Sequence, residues 1–209
     1  RLLILNSGHQ ETNLTESLQE LLLELEQFGL RNDGVITERP RRMLNITRDT
    51  GEFLSVLVRA MNARRVLEIG TSNGYSTLWL ALAAKAIDGH VTTVELSDFK
   101  LGLAARNFAQ SGLAAFITQV HGEAGAALRG SPESSFDLVF LDSERTEYLG
   151  WWPDIRRVLR KGGLLVVDNA TSHSAEMAPF VALVAADTDF ATCTVPVGNG
   201  EFLATRAAS

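Results

Sequence analysis

One cysteine, five prolines and no long apolar run: these shortages in a sequence of 209 residues exclude several classes of protein. The lone Cys193 has no partner for a disulfide framework, so the chain must rely on its own hydrophobic core. Such cysteine usage fits a reducing compartment. No stretch approaches the roughly 18 consecutive apolar residues of a membrane span. The richest, residues 78–87, is broken by Lys85. No secretory signal is visible in the sequence as it opens at Arg1, and a cytoplasmic location is expected. Positive charge is also short. With 19 Lys and Arg against 25 Asp and Glu the net charge is −6, so the broad positive field of non-specific nucleic-acid binders is missing. Arg39, Arg41 and Arg42 around Pro40 are a local exception, read first as a solvated face.

What is present describes a globular chain. Apolar residues make up 45% and charged residues 21%, with 17 glycines, a balance that can offset the entropy of ordering. The length suits one domain burying roughly 70% of its unfolded surface. Within it, residues 1–62 read as a helical cap and residues 63–209 as the main body. An amphipathic helix is expected over 12–28, with Leu14, Leu18, Leu21, Leu22 and Leu25 at helical spacing. Gly29 is expected to end it, and Asp33-Gly34 to form a turn. A second helix, from Thr47 or Arg48 to Met61, places Phe53, Leu54, Leu57 and Val58 on one side.

From Arg65 onward strands and helices alternate. Strands are expected over 66–69, 91–96, 116–120, 136–141 and 164–167, and helices over 76–86, 98–111, 148–159 and 175–186. Lys161-Gly162-Gly163 reads as the end of the third of those helices. Two last strands, 192–197 and 202–205, join through Gly198-Asn199-Gly200. Continuous apolar runs in the middle strands indicate a sheet covered on both faces. The fold class is therefore α/β: a doubly wound, mostly parallel seven-stranded sheet with an antiparallel C-terminal hairpin and an N-terminal helical cap.

Ligands of such sheets bind outside the carboxyl ends of the strands. The first strand is followed by Glu68-Ile69-Gly70-Thr71-Ser72-Asn73-Gly74-Tyr75-Ser76, where two glycines permit a tight turn and Ser76 opens a helix. Ser72 occupies the place of the second glycine of G-x-G-x-x-G, so a nucleotide-like ligand is indicated but not a pyrophosphate cradle. Glycines at such turns are also common for structural reasons alone. Glu95 ends the second strand, where a carboxylate can accept from both hydroxyls of a ribose or simply be solvated. The fourth strand ends at Asp142 and the fifth at Asp168-Asn169. Adjacent strand ends would bring two carboxylates and a carboxamide together, oxygen ligands that suit magnesium or calcium and not zinc. As an alternative each Asp could cap a helix, a service that Ser143, Thr171 and Ser172 also offer.

Arg48-Asp49-Thr50-Gly51-Glu52-Phe53-Leu54, Leu67-Glu68-Ile69-Gly70, Gly74-Tyr75-Ser76, the run from Phe136 to Asp142, Tyr148, Gly162-Gly163 and Asp168-Asn169 together resemble the cation-dependent O-methyltransferases. That family includes catechol and caffeoyl-CoA O-methyltransferases, with a Rossmann-like sheet, and the likeness runs from about Arg42 to the C-terminus. The resemblance implies S-adenosylmethionine as methyl donor. Glu68, Gly70 and Ser76, with Thr71 beside them, match positions at its methionine end; Glu95 matches the ribose position, Glu123-Ala124 the adenine surroundings, and Ile46 the lining of the same pocket. Asp142, Asp168 and Asn169 match the ligands of a divalent cation such as Mg2+, and Asp142 would thereby serve donor, metal and catalysis alike.

Departures cluster where the acceptor should bind. Relatives usually carry Asp-x-Asp-Lys-x-x-Tyr after the fourth strand; here Glu144 replaces the second Asp and Arg145 the Lys. Thr171-Ser172-His173 replaces the Trp and Gly common in plant relatives. Arg145 and His173 are therefore taken as candidate catalytic residues, although a polar helix cap is the simpler reading of His173. His9, His90 and His121 show no partner pattern, one of Trp151 and Trp152 is expected in the core, and Cys193 is expected as a small buried hydrophobe. The expected activity is methyl transfer to a hydroxyl of a small catechol-like or phenolic acceptor, by a homodimer without nucleic-acid or membrane partners. Three rivals stay open: an O-methyltransferase acting on a hydroxylated tRNA base, a nicotinamide-dependent oxidoreductase, and a non-catalytic protein that keeps only the donor pocket.

Overall fold

A computed structural model describes residues 15–208. Two helices, α1 (Glu16–Val35) and α2 (Arg48–Ala60), precede the alternating body: β1 (Arg65–Ile69), α3 (Tyr75–Lys85), β2 (His90–Glu95), α4 (Asp98–Ser111), β3 (Ile117–His121), α5 (Ala124–Gly130), β4 (Phe136–Leu141), α6 (Tyr148–Val158), β5 (Leu159–Val167), α7 (Ser174–Ala185), β6 (Phe190–Val195) and β7 (Glu201–Arg206). The seven strands stand in the order β3-β2-β1-β4-β5-β7-β6. The first five are parallel, and β7 runs antiparallel to both β5 and β6. The chain steps outward from β1 to β3 and then returns to β4, so the crevice between the carboxyl ends of β1 and β4 is the switch point where ligands bind. No helix among the described residues is long and apolar enough to cross a membrane.

Strand residues alternate between two cores, as the period of two requires. Val66, Phe140, Leu164 and Val166 join Leu54, Val58, Leu78 and Leu80 on one face. Leu67, Ile69, Val139, Leu141 and Leu165 join Tyr148, Trp152, Ile155 and Phe180 on the other. Leu18, Leu21, Leu22 and Leu25 of α1 belong to the first core, so the N-terminal helices close that face of the sheet. Trp152 is buried and Trp151 only partly.

Four local expectations are corrected. First, α1 does not stop at Gly29: it starts at Glu16, capped by the Thr15 hydroxyl, and continues through Asp33-Gly34 to Val35. Tertiary contact overrides the local signals. A side chain at Gly29 would strike Asn45, and the Asp33 carboxylate accepts from the amides of Met43 and Leu44, both at 2.7 Å, in place of forming a turn. Thr12, Leu14 and His9 lie outside the described residues. Second, Lys161-Gly162-Gly163 belongs to β5, which begins at Leu159 and carries a register shift opposite Phe136 and Leu138. Gly162 takes φ +69° there, so the glycines make a bulge instead of a helix end. Third, α5 had no periodic signal, being seven residues of mostly Ala and Gly. Fourth, Cys193 is exposed, because β6 is the edge strand and residues 191–194 have no covering layer.

Candidate active site

Gly70 leaves β1 at φ +108°, where L side chains are strained, and a Cβ there would collide with the Asp142 carbonyl oxygen. The ends of β1 and β4 therefore touch. Gly74, at φ +87°, starts α3, and a side chain on it would collide with Phe108. Ser76 stands in the first turn of α3, and its hydroxyl donates to Glu68 at 2.6 Å. Thr93 donates to the same carboxyl at 2.6 Å, and Thr77 also donates to it. Burial pushes Glu68 up to about 7, with the charge of Glu95 adding to the rise, although three hydroxyls favour its ionised form. At the end of β2, Glu95 receives the amides of Ser72 and Ser97, each at 2.9 Å, one on each oxygen. Each oxygen keeps a further lone pair for a ligand. Gly122 donates to the Glu95 carbonyl at 3.0 Å, which brings the connection carrying Glu123 and Ala124 alongside.

Residues 42–46 roof the glycine loop. The Ser72 hydroxyl donates to the Met43 carbonyl at 2.6 Å, and Leu44 sits at φ +52°. Asp33 anchors this segment. Burial opposes its ionisation, but the bonds from Asn32, Leu44 and Met43 outweigh it and hold the carboxyl below its ordinary range. Under the roof is a cavity of about 10 Å³ lined by Ile46, Gly70, Thr71, Ser76 and Asp142 among others, space for one water. Asn45 Oδ1 and Asn73 Nδ2, both in its lining, are buried without partners. Orphaned polar groups at one place are what a ligand would satisfy. A larger hollow of about 820 Å³ lies at the opposite, amino ends of the strands by Arg64, Arg65 and His90.

The Asp142 and Asp168 side chains converge beside this cavity. Asn169 Nδ2 lies 2.8 Å from Asp168 Oδ2 and 3.4 Å from Asp142 Oδ1. Burial, then the charge of Asp168, pushes Asp142 well above the carboxylate range, while Arg145 and Lys100 pull the other way. Asp168 is likewise raised by burial, against the hydrogen bonds it receives and the charges of Arg145 and His173. Among the described residues no three His, Cys, Asp or Glu side chains gather into a metal cage. Two buried carboxyls that repel each other, completed by an amide, nonetheless form an oxygen donor set that fits a hard cation.

Around the mouth, Arg39 pairs with Glu144 at 3.1 Å and Arg145 Nε with Glu176 at 2.9 Å. The Tyr148 hydroxyl accepts from the Ser143 amide at 2.8 Å and steadies the turn that carries Glu144 and Arg145. His173 occupies the start of α7 but its ring makes no capping bond; it meets the Ser172 hydroxyl at 2.9 Å. The ring is therefore not the helix cap it was expected to be. Two residues escaped the sequence reading: Glu201 and Thr50, joined at 2.9 Å behind Asp168. The pairing of β5 with β7 brings Glu201 to Asp168, and the packing of α2 brings Thr50 to Glu201.

Comparison with known families matches residues 14–207 to the O-methyltransferase family. The chain belongs to that family. It is 37% identical over 132 residues to a catechol O-methyltransferase of Mycobacterium tuberculosis, an alignment covering 63% of this chain and 59% of that protein. It is 26% identical over 230 residues to a caffeoyl-CoA O-methyltransferase of Nicotiana tabacum, covering 95% of each. Among solved structures, the Streptomyces achromogenes O-methyltransferase TomG, involved in tomaymycin synthesis and crystallised with S-adenosylmethionine, superposes with a TM-score of 0.74 at 27% identity, covering 93% of this chain and 91% of that one. This O-methyltransferase is S-adenosylmethionine-dependent, and a nicotinamide oxidoreductase is set aside.

Proposed function

We propose that this O-methyltransferase methylates a hydroxyl of a small catechol-like or phenolic acceptor, assisted by a divalent cation at Asp142, Asp168 and Asn169. The convergence of these three side chains, with the Asp142 backbone packed against Gly70 at the rim of the small cavity, carries the reading. The names of the mycobacterial and tobacco relatives support the acceptor class. Glu95 would hold the donor's ribose, and Glu68, Gly70, Thr71 and Ser76 its methionine end, with Ile46 and Ala124 lining the rest. The acceptor oxygen forms the new C–O bond in line as the C–S bond breaks, and sulfur keeps the electron pair.

When bound, the cation lowers the pKa of an acceptor hydroxyl and fixes two neighbouring oxygens. The chain's own share is orientation, which supplies on the order of 7–11 kcal/mol in well-arranged systems. Arg145 holds negative charge on the acceptor, whose proton leaves to solvent or is received by His173 or Glu144. Residues 15–62 serve as roof and 63–208 as body of one domain. Cysteine scarcity supports a cytoplasmic place of work, and exposed Leu23, Leu30, Val35 and Val56 on α1 and α2 support a homodimer.

The test is incubation with S-adenosylmethionine and Mg2+ against a panel of catechols, hydroxycinnamates and unmodified tRNA, with products weighed by mass spectrometry. Methylated catechol or hydroxycinnamate is expected, and it should vanish on chelation. Methylation of tRNA alone would replace the small acceptor with a hydroxylated base.

A further inference from the structure

Across the sheet from Asp168 stands a carboxyl group that none of the roles above employs. β5 and β7 pair antiparallel with Val167 facing Phe202, so the same register sets Glu201, the first residue of β7, opposite Asp168. Glu201 is 0% exposed and Asp168 3%. Like charges directly opposite each other in a sheet repel, and burial strengthens the repulsion. Filling such a position with an apolar residue is commonly neutral or better for stability. A carboxyl kept there points to a role outside packing.

The contacts of Glu201 show which role. Thr50 Oγ1, on α2, donates to Glu201 Oε1 at 2.9 Å. Glu201 Oε2 meets no partner among the described residues, and the residue facing Glu201 across the sheet is Asp168. Two carboxyl groups side by side can bond only through a proton, and the strand register with the Thr50 contact places Glu201 to offer that bond to Asp168. The turn before Glu201 locks the arrangement. Gly198 and Gly200 have positive φ, and side chains on them would collide with Thr50 and Thr171 respectively. The Gly198 amide donates to Asp49 at 3.1 Å, and Gly200 accepts from the Ala170 amide at 2.8 Å. Residues 198–200 therefore clamp the first turn of α2 to the turn that carries Asp168 and Asn169.

We propose that Glu201 is a positioning residue of the cation site: suspended from Thr50, it holds the Asp168 side chain turned toward Asp142 and Asn169. It is not itself one of the cation's ligands. The inference rests on the reading that Asp142, Asp168 and Asn169 hold a divalent cation, and Mn2+ serves as the probe.

Free Mn2+ is followed by its paramagnetic resonance signal in titrations of the full chain, native and as Glu201→Gln, Glu201→Leu and Thr50→Val. A glutamine can still accept from Thr50 and donate to Asp168, so Glu201→Gln should bind Mn2+ nearly as tightly as the native protein. Glu201→Leu should weaken Mn2+ binding about tenfold or more, the usual cost of losing such a support. Thr50→Val should weaken it by a smaller factor, and S-adenosylmethionine affinity should be unchanged in all three. Native affinity in Glu201→Leu would overturn the inference. So would a loss in Glu201→Gln as large as in Glu201→Leu, since the charge and not the bridge would then matter. If Glu201→Leu does not fold, Glu201→Gln and Thr50→Val decide by the same criteria, and native affinity in Thr50→Val counts against the bridge. A native protein that ignores Mn2+ would remove the cation reading itself, whereas native binding with indifferent variants would remove only the role of Glu201.

Discussion

The α-carbon of Gly70 is packed against the backbone carbonyl of Asp142, closely enough that no Cβ fits between them. β1 therefore delivers its glycine loop, and β4 its carboxylate, to the same point. The small cavity and the set of Asp142, Asp168 and Asn169 share one wall, which on the proposed reading would bring the donor methyl and the acceptor oxygen within bonding reach.

Gly70→Ala should break that wall. The φ of +108° costs a non-glycine residue roughly 1–3 kcal/mol, and the new methyl must also displace the Asp142 backbone. The variant should melt several degrees below the native protein and lose measurable S-adenosylmethionine binding by calorimetry. Native donor affinity in a folded Gly70→Ala protein would show that the contact between strands is dispensable.

Glu95→Ala tests the ribose assignment. Its carboxylate already orders Ser72 and Ser97, so the loss combines a missing ligand contact with a loosened glycine loop. Bonds to charged groups contribute about 1.5–3 kcal/mol, equivalent to at least tenfold in donor affinity. Calorimetry that gave an unchanged Kd would take Glu95 out of the site.

Glu68 makes stability depend on pH. Its folded pKa of about 7 lies above the ordinary 4.5, so the native state holds a proton that the unfolded chain releases. Its contribution is fully present below about pH 4.5 and is lost as pH rises through about 7. At about 1.4 kcal/mol per unit the change is of order 3 kcal/mol. Melting curves of the native protein and Glu68→Gln, taken from pH 5 to 8, should diverge, with the variant gaining relative stability toward pH 8. Parallel curves would mean that Glu68 does not titrate in this window.

The body of the fold was legible because its strands are short apolar runs, and the candidate site lies where those runs end: Gly70, Glu95, Asp142 and Asp168 all stand at carboxyl strand ends. The errors have one physical source. Gly29 and Asp33-Gly34 carry the local signature of a helix end, but Asn45 and the amides of Met43 and Leu44 arrive from elsewhere in the chain and keep α1 going. Cys193 looked buried because its strand is apolar enough, and only the strand order makes that strand an edge. Glu201 was invisible for the same reason, since nothing local says that it will face Asp168.

Arg145 is where this chain departs furthest from the pattern it resembles. Its side chain is 11% exposed, tied to Glu176 at 2.9 Å, and close enough to Asp142 and Asp168 to oppose the rise of both. A lysine with a lowered pKa can accept a proton; a guanidinium keeps its own at any working pH. On the proposed reading Arg145 would act by charge. Arg145→Lys should retain measurable turnover, whereas Arg145→Ala should raise the acceptor KM about tenfold, as losing a charged hydrogen bond of roughly 1.5–3 kcal/mol implies. Cation affinity should move the other way, because the two carboxyls lose a competing positive charge. The proton then leaves by another route, and the pH–rate profile identifies it. If His173→Ala removes an ionisation from the profile, His173 is the base; if the profile is unchanged, the proton goes to Glu144 or to solvent. Should Arg145→Ala leave KM, turnover and cation affinity all untouched, the guanidinium serves only its pair with Glu176, and the acceptor binds elsewhere along the mouth.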